Sequence, residues 1–470
     1  MTRLVIVSNR VADLRSSQQS GGLAVGLADA LRERGGIWFG WSGDTVDRTV
    51  DEPAIEKFDK VETLALPLTR RDFSEYYVGY ANSVLWPLFH YRLDLVDYRP
   101  SYFKGYMRVN RIFARALSRF LKPSDVIWVH DYHLIPLASH MRKLGCGQRI
   151  GFFLHIPFPP PDLLAASPNH AELVDSLLQY DLVGFQAQTD VSNFLRYVEE
   201  HSDATVSEDG SIRVGERTVR AARFPIGIDV DVFREMAQQP HEDVTIDTMR
   251  RHILGRKQII GVDRLDYSKG LPERMRAFAR LFQIRPELER KVTLLQIAPP
   301  TREDVSAYSD IREQLEVLTG SINGRLADFN WTPIRYIHRS IARDKLAALF
   351  RASQVGFVTP LRDGMNLVAK EYIAAQDPQD PGVLVLSQFA GAAEELHDAL
   401  IVNPYDSDEM ARSLLQALEM PLAERQRRHE ALLASIAEHD ARAWMTGFLD
   451  ALEEVRQSDE TDGRRRAAAG

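Results

Sequence analysis

The stretch Val355 to Tyr372, VGFVTPLRDGMNLVAKEY, has the pattern of a buried strand that turns sharply into a helix. VGFVTP is a short apolar run closed by a proline, Gly364 permits a tight turn, and NLVAKEYIAA has helical periodicity with Asn366 suited to the N-cap. Such a helix offers the free N–H groups of Leu367, Val368 and Ala369, together with its dipole, to a phosphate group. Glu371 lies one turn on, along the face of Leu367. Its carboxylate would repel a bare diphosphate but accept hydrogen bonds from neighbouring hydroxyls such as those of a ribose. Asp363, at the end of the strand, could hold sugar hydroxyls in the same way. The turn holds no serine or cysteine to attack a substrate. The plain alternative is a capped helix with surface charges, in which Arg362 and Lys370 are solvated or paired.

The same strand-turn-helix punctuation runs through most of the 470 residues. Strands are predicted at 4–9, 125–130, 150–155 and 181–186, and again at 258–265, 292–298, 334–338, 355–360, 382–388 and 399–404. Amphipathic segments such as GLAVGLADALRER lie between them, and a hairpin is predicted at VSEDGSIRV, around Asp209-Gly210. Apolar strands alternating with helices imply parallel sheets covered on both faces, an α/β class with doubly wound domains. A chain of this length implies two of them. A polar stretch with Pro240 follows FPIGIDVDVF, which sets the expected domains at 1–236 and 237–440. The tail 457–470, QSDETDGRRRAAAG, has no apolar face and is expected to be disordered. In doubly wound domains ligands bind beyond the carboxyl ends of the strands, so polar residues that follow strands deserve scrutiny.

Composition narrows the function. A 44% hydrophobic and 26% charged chain is that of a globular protein, and a net charge of −8 argues against nucleic acid as a partner. The single cysteine, Cys146, excludes an internal disulfide framework and fits a reducing compartment. No apolar run reaches the ~18 residues of a membrane span, and MTRLVIVSNR is too short for a signal-peptide core. A cytoplasmic protein is expected, and the sequon at Asn330 is a chance match.

Three further motifs follow predicted strands. In VDRLDYSKG, Arg264 and Lys269 could direct two cations to one anion, with an exposed loop of mixed charge as the alternative. Arg10 ends the first strand, and Gly21-Gly22 precede a helix, a turn that brings backbone N–H groups towards a phosphate without the three spaced glycines of a dinucleotide fold. HDYHLIP and HIPFPPP place Asp131, His133 and His155 at strand ends, suited to sugar hydroxyls or to satisfied structural histidines. Zinc at His130 and His133 is disfavoured by their spacing, and the carboxylate pair Asp229 and Asp231 is read as coincidental.

Taken in order, SNR, SGGLAVG, GGIWFGWSG, EYYVGYANSVLWPLFHYR, HDYHLIP, GFFLHIPFP, FPIGID, VDRLDYSKGLPER, QIAPPTR and LRDGMNLVAKEY resemble the trehalose-6-phosphate synthase family of retaining glycosyltransferases. The resemblance runs from about residue 2 to about residue 450. It implies a GT-B fold, two Rossmann-like domains facing a cleft, with a last helix at 441–456 crossing back to the first domain. The implied reaction moves glucose from a nucleoside diphosphate glucose, UDP-glucose by default, to glucose 6-phosphate. Matching motif by motif, Arg264 and Lys269 should hold the donor diphosphate, with backbone support from Gly22, Leu367 and Val368, and Gly364, Met365 and Asn366 should also line the donor site. Glu371 should bind the ribose, Asp363 and His155 the transferring glucose, and the backbone near Ile341 the base. On the acceptor side Arg10, Tyr77, Trp86 and Arg302 should gather around the 6-phosphate, while Trp41 and Asp131 shape the sugar site.

The family mechanism explains the missing nucleophile, since the acceptor hydroxyl attacks from the face that the leaving group departs. Arg264, Lys269 and the helix start then do what a divalent metal does in other transferases, so neither a metal nor another cofactor is expected. No nucleic acid or membrane partner is expected, and a homo-oligomer, dimer or tetramer, stays open. A glycoside hydrolase would need paired carboxylates but no diphosphate site. A non-catalytic sugar-phosphate-binding relative is opposed by the intact Arg10, Arg264, Lys269, Asp363 and Glu371. A synthase using glycerol 3-phosphate or a cyclitol phosphate as acceptor is the remaining alternative.

Overall fold

The computed structural model describes residues 3–11, Leu27, Leu31, 35–239, 255–302 and 305–469, with residues 306 and 456–469 described as backbone only. It divides into two compact units, one formed by Met1–Pro225 with Arg442–Gly470 and the other by Ile226–Ala441.

Among the described residues the first unit is built on ten strands, β1 (Leu4–Arg10), β2 (Gly36–Val46), β3 (Ala54–Phe58), β4 (Val61–Thr69), β5 (Val126–His130), β6 (Arg149–Phe153), β7 (Leu182–Phe185), β8 (Thr205–Val206), β9 (Ser211–Val214) and β10 (Arg217–Arg223). They lie in the order β3-β4-β2-β1-β5-β6-β7-β10-β9-β8. The run β4-β2-β1-β5-β6-β7 is parallel throughout. Counted along the chain it has the 3-2-1-4-5-6 order of a Rossmann sheet, which reverses between β1 and β5. The central strands are apolar on both faces because helices cover both. Leu4 to Val7 and Ile127 to Val129 are all buried.

Strands β2 to β4 had no counterpart among the predicted strands. β3 is exposed at every position and shows no apolar period. The predicted hairpin is the antiparallel pair of β8 and β9, turned at Gly210 with φ +78°. The last helix (Ala441–Ala469) lies on this sheet. Its Phe448 stacks on Trp128 with centroids 4.6 Å apart. The same ring fills the space that side chains at residues 151 and 184 would need, where added Cβ atoms would come within 2.7 and 2.8 Å of it. The helix runs on through 457–469, where a disordered tail was expected, and side chains there lie outside the described residues.

Among the described residues the second unit holds six parallel strands, β11 (Lys257–Val262), β12 (Val292–Ile297), β13 (Ile334–Ile337), β14 (Val355–Val358), β15 (Val383–Ser387) and β16 (Leu400–Val402). Their order, β13-β12-β11-β14-β15-β16, is again 3-2-1-4-5-6, with the reversal between β11 and β14. The two motifs that follow these strands, VDRLDYSKG and TPLRDGMN, therefore flank the switch point. The unit begins at Ile226 rather than after residue 236, because the helix Val230–Gln238 packs within it. Phe233 of that helix meets Phe350, and Asp229 caps it by accepting from Val232 N at 3.0 Å. Among the described residues no helix is long and apolar enough to cross a membrane.

Candidate active site

In the second unit the two switch-point loops are bonded to each other. Leu361 N donates to Ser268 O at 2.8 Å. Gly270 turns with φ +63°, and a Cβ there would sit 2.4 Å from Thr359 O, so only glycine lets the loop after β11 cross the end of β14. This closure brings Lys269 Nζ to 2.6 Å from Asp363 Oδ2, which also accepts from Asn366 Nδ2 at 3.0 Å. Asn366 is the N-cap of the helix Leu367–Ala375, held at φ 76° with its side chain accepting from Ala369 N. The turn is laced from behind by Gly391 N to Asp363 O at 3.1 Å and Ala392 N to Met365 O at 2.9 Å. A side chain at residue 391 would strike Gly364 O, so the backing segment approaches as closely as backbone can. Leu367 and Val368 remain half-exposed at the helix start, where first-turn N–H groups have no acceptor within the helix.

Below the turn, Arg274 and Asp263 form an ion pair at 2.8 Å, with side chains 0% and 2% exposed. Arg274 also donates to Thr359 Oγ1 and Gln296 Oε1. Burial pushes the Asp263 carboxyl up, against the pull of Arg274 and Lys269. Arg264 is exposed at the head of the same loop. Glu371 faces Arg343 at 3.6 Å and is 15% exposed. Burial lifts its carboxyl to about 7, and Arg343 draws it back only in part. Ile341 lies just before the helix Arg343–Arg351 that supplies this arginine.

In the first unit the carboxyl end of β1 carries Arg10, whose guanidinium lies 5.8 Å from the Trp41 ring centre. Gly43 makes room for it, because a Cβ there would meet Arg10 Nη2 at 2.4 Å. Trp41 leads to Tyr77 at 5.6 Å, Tyr77 stacks on His133 at 5.8 Å, and His133 touches Tyr132, which meets Trp86 at 5.7 Å. Trp86 is 3% exposed, so it stands behind this aromatic arc rather than on its surface. Tyr77 belongs to a π-helix of 13 residues (Phe73–Leu85), a wide and rare conformation that is frequent at functional sites.

After β5, Asp131 sits at φ 77°, ψ 165°, a conformation close to glycine-only, and accepts from His155 N at 3.2 Å. Both ring nitrogens of His155 are engaged, Nε2 with His130 Nδ1 at 3.1 Å and Nδ1 with the Gln186 amide at 3.3 Å. Burial pushes His155 down to about 3, so the imidazole is neutral. For its ring to bond a sugar hydroxyl, Gln186 or His130 must give way.

The structure thus brings Lys269, Asp363, Gly364, Met365 and Asn366 together, with Leu367, Val368 and Glu371 on the adjoining helix. It likewise joins Arg10, Trp41 and Tyr77, and Asp131 with His155. Arg302 belongs to the second unit, where it pairs with Asp266 at 3.3 Å and donates to Tyr308 Oη at 2.7 Å. Gly22 lies outside the described residues. Among those described, no group of three or more His, Cys, Asp or Glu could hold a metal ion. Arg343, Gln186, Arg274 and Glu395 were not singled out from the sequence, since each acts through a partner distant along the chain. Only Arg274, a cation inside an otherwise apolar helix face, left a visible sign.

A Rossmann unit with a cation, a carboxylate and a helix start converging at its switch point is suited to the diphosphate and sugar hydroxyls of a nucleotide sugar. The family model of glycosyltransferase family 20 matches residues 3–454, and the chain belongs to that family. It is 48% identical over 465 residues to the trehalose-6-phosphate synthase of Klebsiella pneumoniae, covering 98% of this chain and 97% of the relative. A UDP-forming alpha,alpha-trehalose-phosphate synthase from Burkholderia xenovorans, solved in complex with glucose 6-phosphate, matches with a TM-score of 0.92 at 52% identity over 96% of this chain and all of its own. An E. coli relative solved with bound UDP-2-fluoro glucose matches with a TM-score of 0.92 at 46% identity, over 96% of this chain and 99% of its own. The fold class is GT-B, shared with these relatives.

Proposed function

We propose that this chain transfers glucose from UDP-glucose to glucose 6-phosphate with retention, giving alpha,alpha-1,1-linked trehalose 6-phosphate and UDP. The observation that carries the proposal is the Lys269–Asp363 pair in front of the helix start at Leu367. It would offer a cation to a departing diphosphate and a carboxylate to sugar hydroxyls, in a family whose relatives are named for this reaction. Arg264 and Lys269 would neutralise the departing diphosphate with the N–H groups of Leu367 and Val368, charge-assisted bonds that are among the strongest available. Glu371 would take the ribose hydroxyls, and the backbone at Ile341 the base. Arg10 and Tyr77 would hold the 6-phosphate of the acceptor, with Trp86 buried behind them, and Trp41 would shape the sugar site. His155 and Asp131 would address the transferring glucose and the acceptor.

No side chain attacks carbon in this scheme. The acceptor hydroxyl attacks on the face from which UDP departs, its proton passes to a phosphate oxygen, and the protein contributes orientation and charge stabilisation. No metal or other cofactor takes part, and the work is done in the cytoplasm. The test is incubation with glucose 6-phosphate and each of UDP-, GDP- and ADP-glucose in the presence of EDTA. UDP release matched by disaccharide phosphate is expected. Free glucose released in step with UDP, with glucose 6-phosphate unchanged, would make the protein a hydrolase, and loss of turnover in EDTA would overturn the metal-free scheme.

A further inference from the structure

Lys370 occupies the first turn of the Leu367–Ala375 helix, yet its side chain is 0% exposed and pairs at 2.7 Å with Glu395, itself 3% exposed. Lys370 Nζ also donates to the carbonyl of Ile226 at 2.9 Å. Ile226 is the residue at which the chain enters the second unit, and Ala441 is where it leaves. The two crossings touch each other. Ala441 N meets Ile228 O at 3.4 Å, and a Cβ on residue 227 would lie 2.0 Å from His439 O. Glu395 reaches the exit side as well, since its carbonyl accepts from Ser435 Oγ at 3.1 Å and its second carboxylate oxygen is 3.8 Å from His439 Nδ1. Glu395 directly follows the segment Gly391–Glu394 that laces the back of the Asp363–Met365 turn.

A buried ion pair is poorly explained by stability alone, because well-packed apolar side chains of similar volume commonly serve as well or better. What an apolar pair cannot supply is a directional bond from the helix to the Ile226 carbonyl. We infer that Lys370 and Glu395 are positioning residues that fasten the diphosphate-receiving turn to the two chain crossings, so that occupancy of the turn tightens the crossings. By linkage, order in the crossings strengthens nucleotide binding by the same factor. The inference rests on the donor reading above.

Hydrogen exchange of the full chain with and without saturating UDP tests it. In the wild type, UDP should slow exchange in 363–371 and also in 224–230 and 437–442. K370M/E395M, close in volume and free of unpaired charge, should remain folded, bind UDP about 5- to 150-fold more weakly, and show slowed exchange at 363–371 alone. Should that variant not fold, E395D, which keeps both charges but shortens the reach, carries the same expectation in weaker form. Slowing at 363–371 in the wild type with no change at the crossings would overturn the inference, as would full protection of the crossings in K370M/E395M. Absence of slowing at 363–371 would instead remove the donor reading.

Discussion

Lys269 Nζ stands 2.6 Å from Asp363 Oδ2, with side chains 9% and 15% exposed, so each half of the expected donor clamp holds the other in place. A bound diphosphate sugar would share the lysine's remaining protons and the carboxylate's remaining lone pairs. On the proposed reading the pair would aim both groups before substrate arrives.

Substitution at Lys269 and at Arg264 should separate positioning from simple charge. Lys269→Ala strands a largely buried carboxylate, so it should lower both Tm and kcat/KM, the latter about 10- to 150-fold from a lost bond of roughly 1.5–3 kcal/mol. Arg264→Ala, at an exposed position, should cost a similar factor in kcat/KM with Tm unchanged. In a double-mutant cycle of Lys269→Ala and Asp363→Ala the losses should fall short of their sum, and strict additivity would show that the pair does not act as one.

Glu371 gives a pH dependence of defined sign. Its carboxyl is raised to about 7 from an ordinary 4.5. Between those values the unfolded chain is ionised while the folded one holds the proton, so this group lowers stability as pH rises and the cost is complete above the folded value. Glu371→Gln should raise Tm near pH 8 while weakening donor binding. In the wild type, KM for UDP-glucose should fall as pH rises from about 6 to about 8, as the carboxylate that accepts ribose hydroxyls forms, and the variant should lose that trend.

Asp131 at φ 77°, ψ 165° carries backbone strain of about 1–3 kcal/mol that glycine would not. Asp131→Gly should therefore melt no lower than wild type, yet lose roughly tenfold or more in kcat/KM because the carboxylate that fixes the His155 backbone is gone. Asp131→Ala should lose activity and also stability. Equal melting temperatures for the two variants would show the conformation to be unstrained.

The neutral His155 predicts acid sensitivity. Burial holds its imidazole near about 3, against 6.5 when free, so below the latter value the unfolded state binds a proton that the folded state refuses. Stability from this group falls as pH drops from 6.5 towards 3, and His155→Gln should shrink the difference in Tm between about pH 7 and about pH 5.

How much of this was legible in the sequence depended on range. Strand, turn and helix start at VGFVTPLRDGMNLVAKEY are local patterns, and so is the Asn366 cap. The π-helix at Phe73–Leu85 was not legible, because its apolar spacing imitates an α-helix. Strand β3 carries no buried face to produce alternation, and β2 and β4 gain their places only by pairing with β1 and with each other. Along the sequence a solvated Lys370 and a paired one look alike. Its partner lies 25 residues away, and nothing in the local charge pattern distinguishes a buried pair from a wet one. Arg362 lies over the Phe389 ring at 5.0 Å, a contact equally invisible along the chain. The switch point itself emerges only from strand order, which places the loop after β11 beside the loop after β14 although about 90 residues separate them.

The central claim is transfer with retention to the anomeric hydroxyl of glucose 6-phosphate, and proton NMR of the purified product tests it most directly. Incubation of UDP-glucose and glucose 6-phosphate with the wild-type chain should yield one disaccharide monophosphate in which both anomeric protons are α and the linkage joins the two anomeric carbons, formed in step with UDP. A product with a β-anomeric glucose, a linkage to any other oxygen, or UDP release with free glucose and unchanged glucose 6-phosphate would contradict the account.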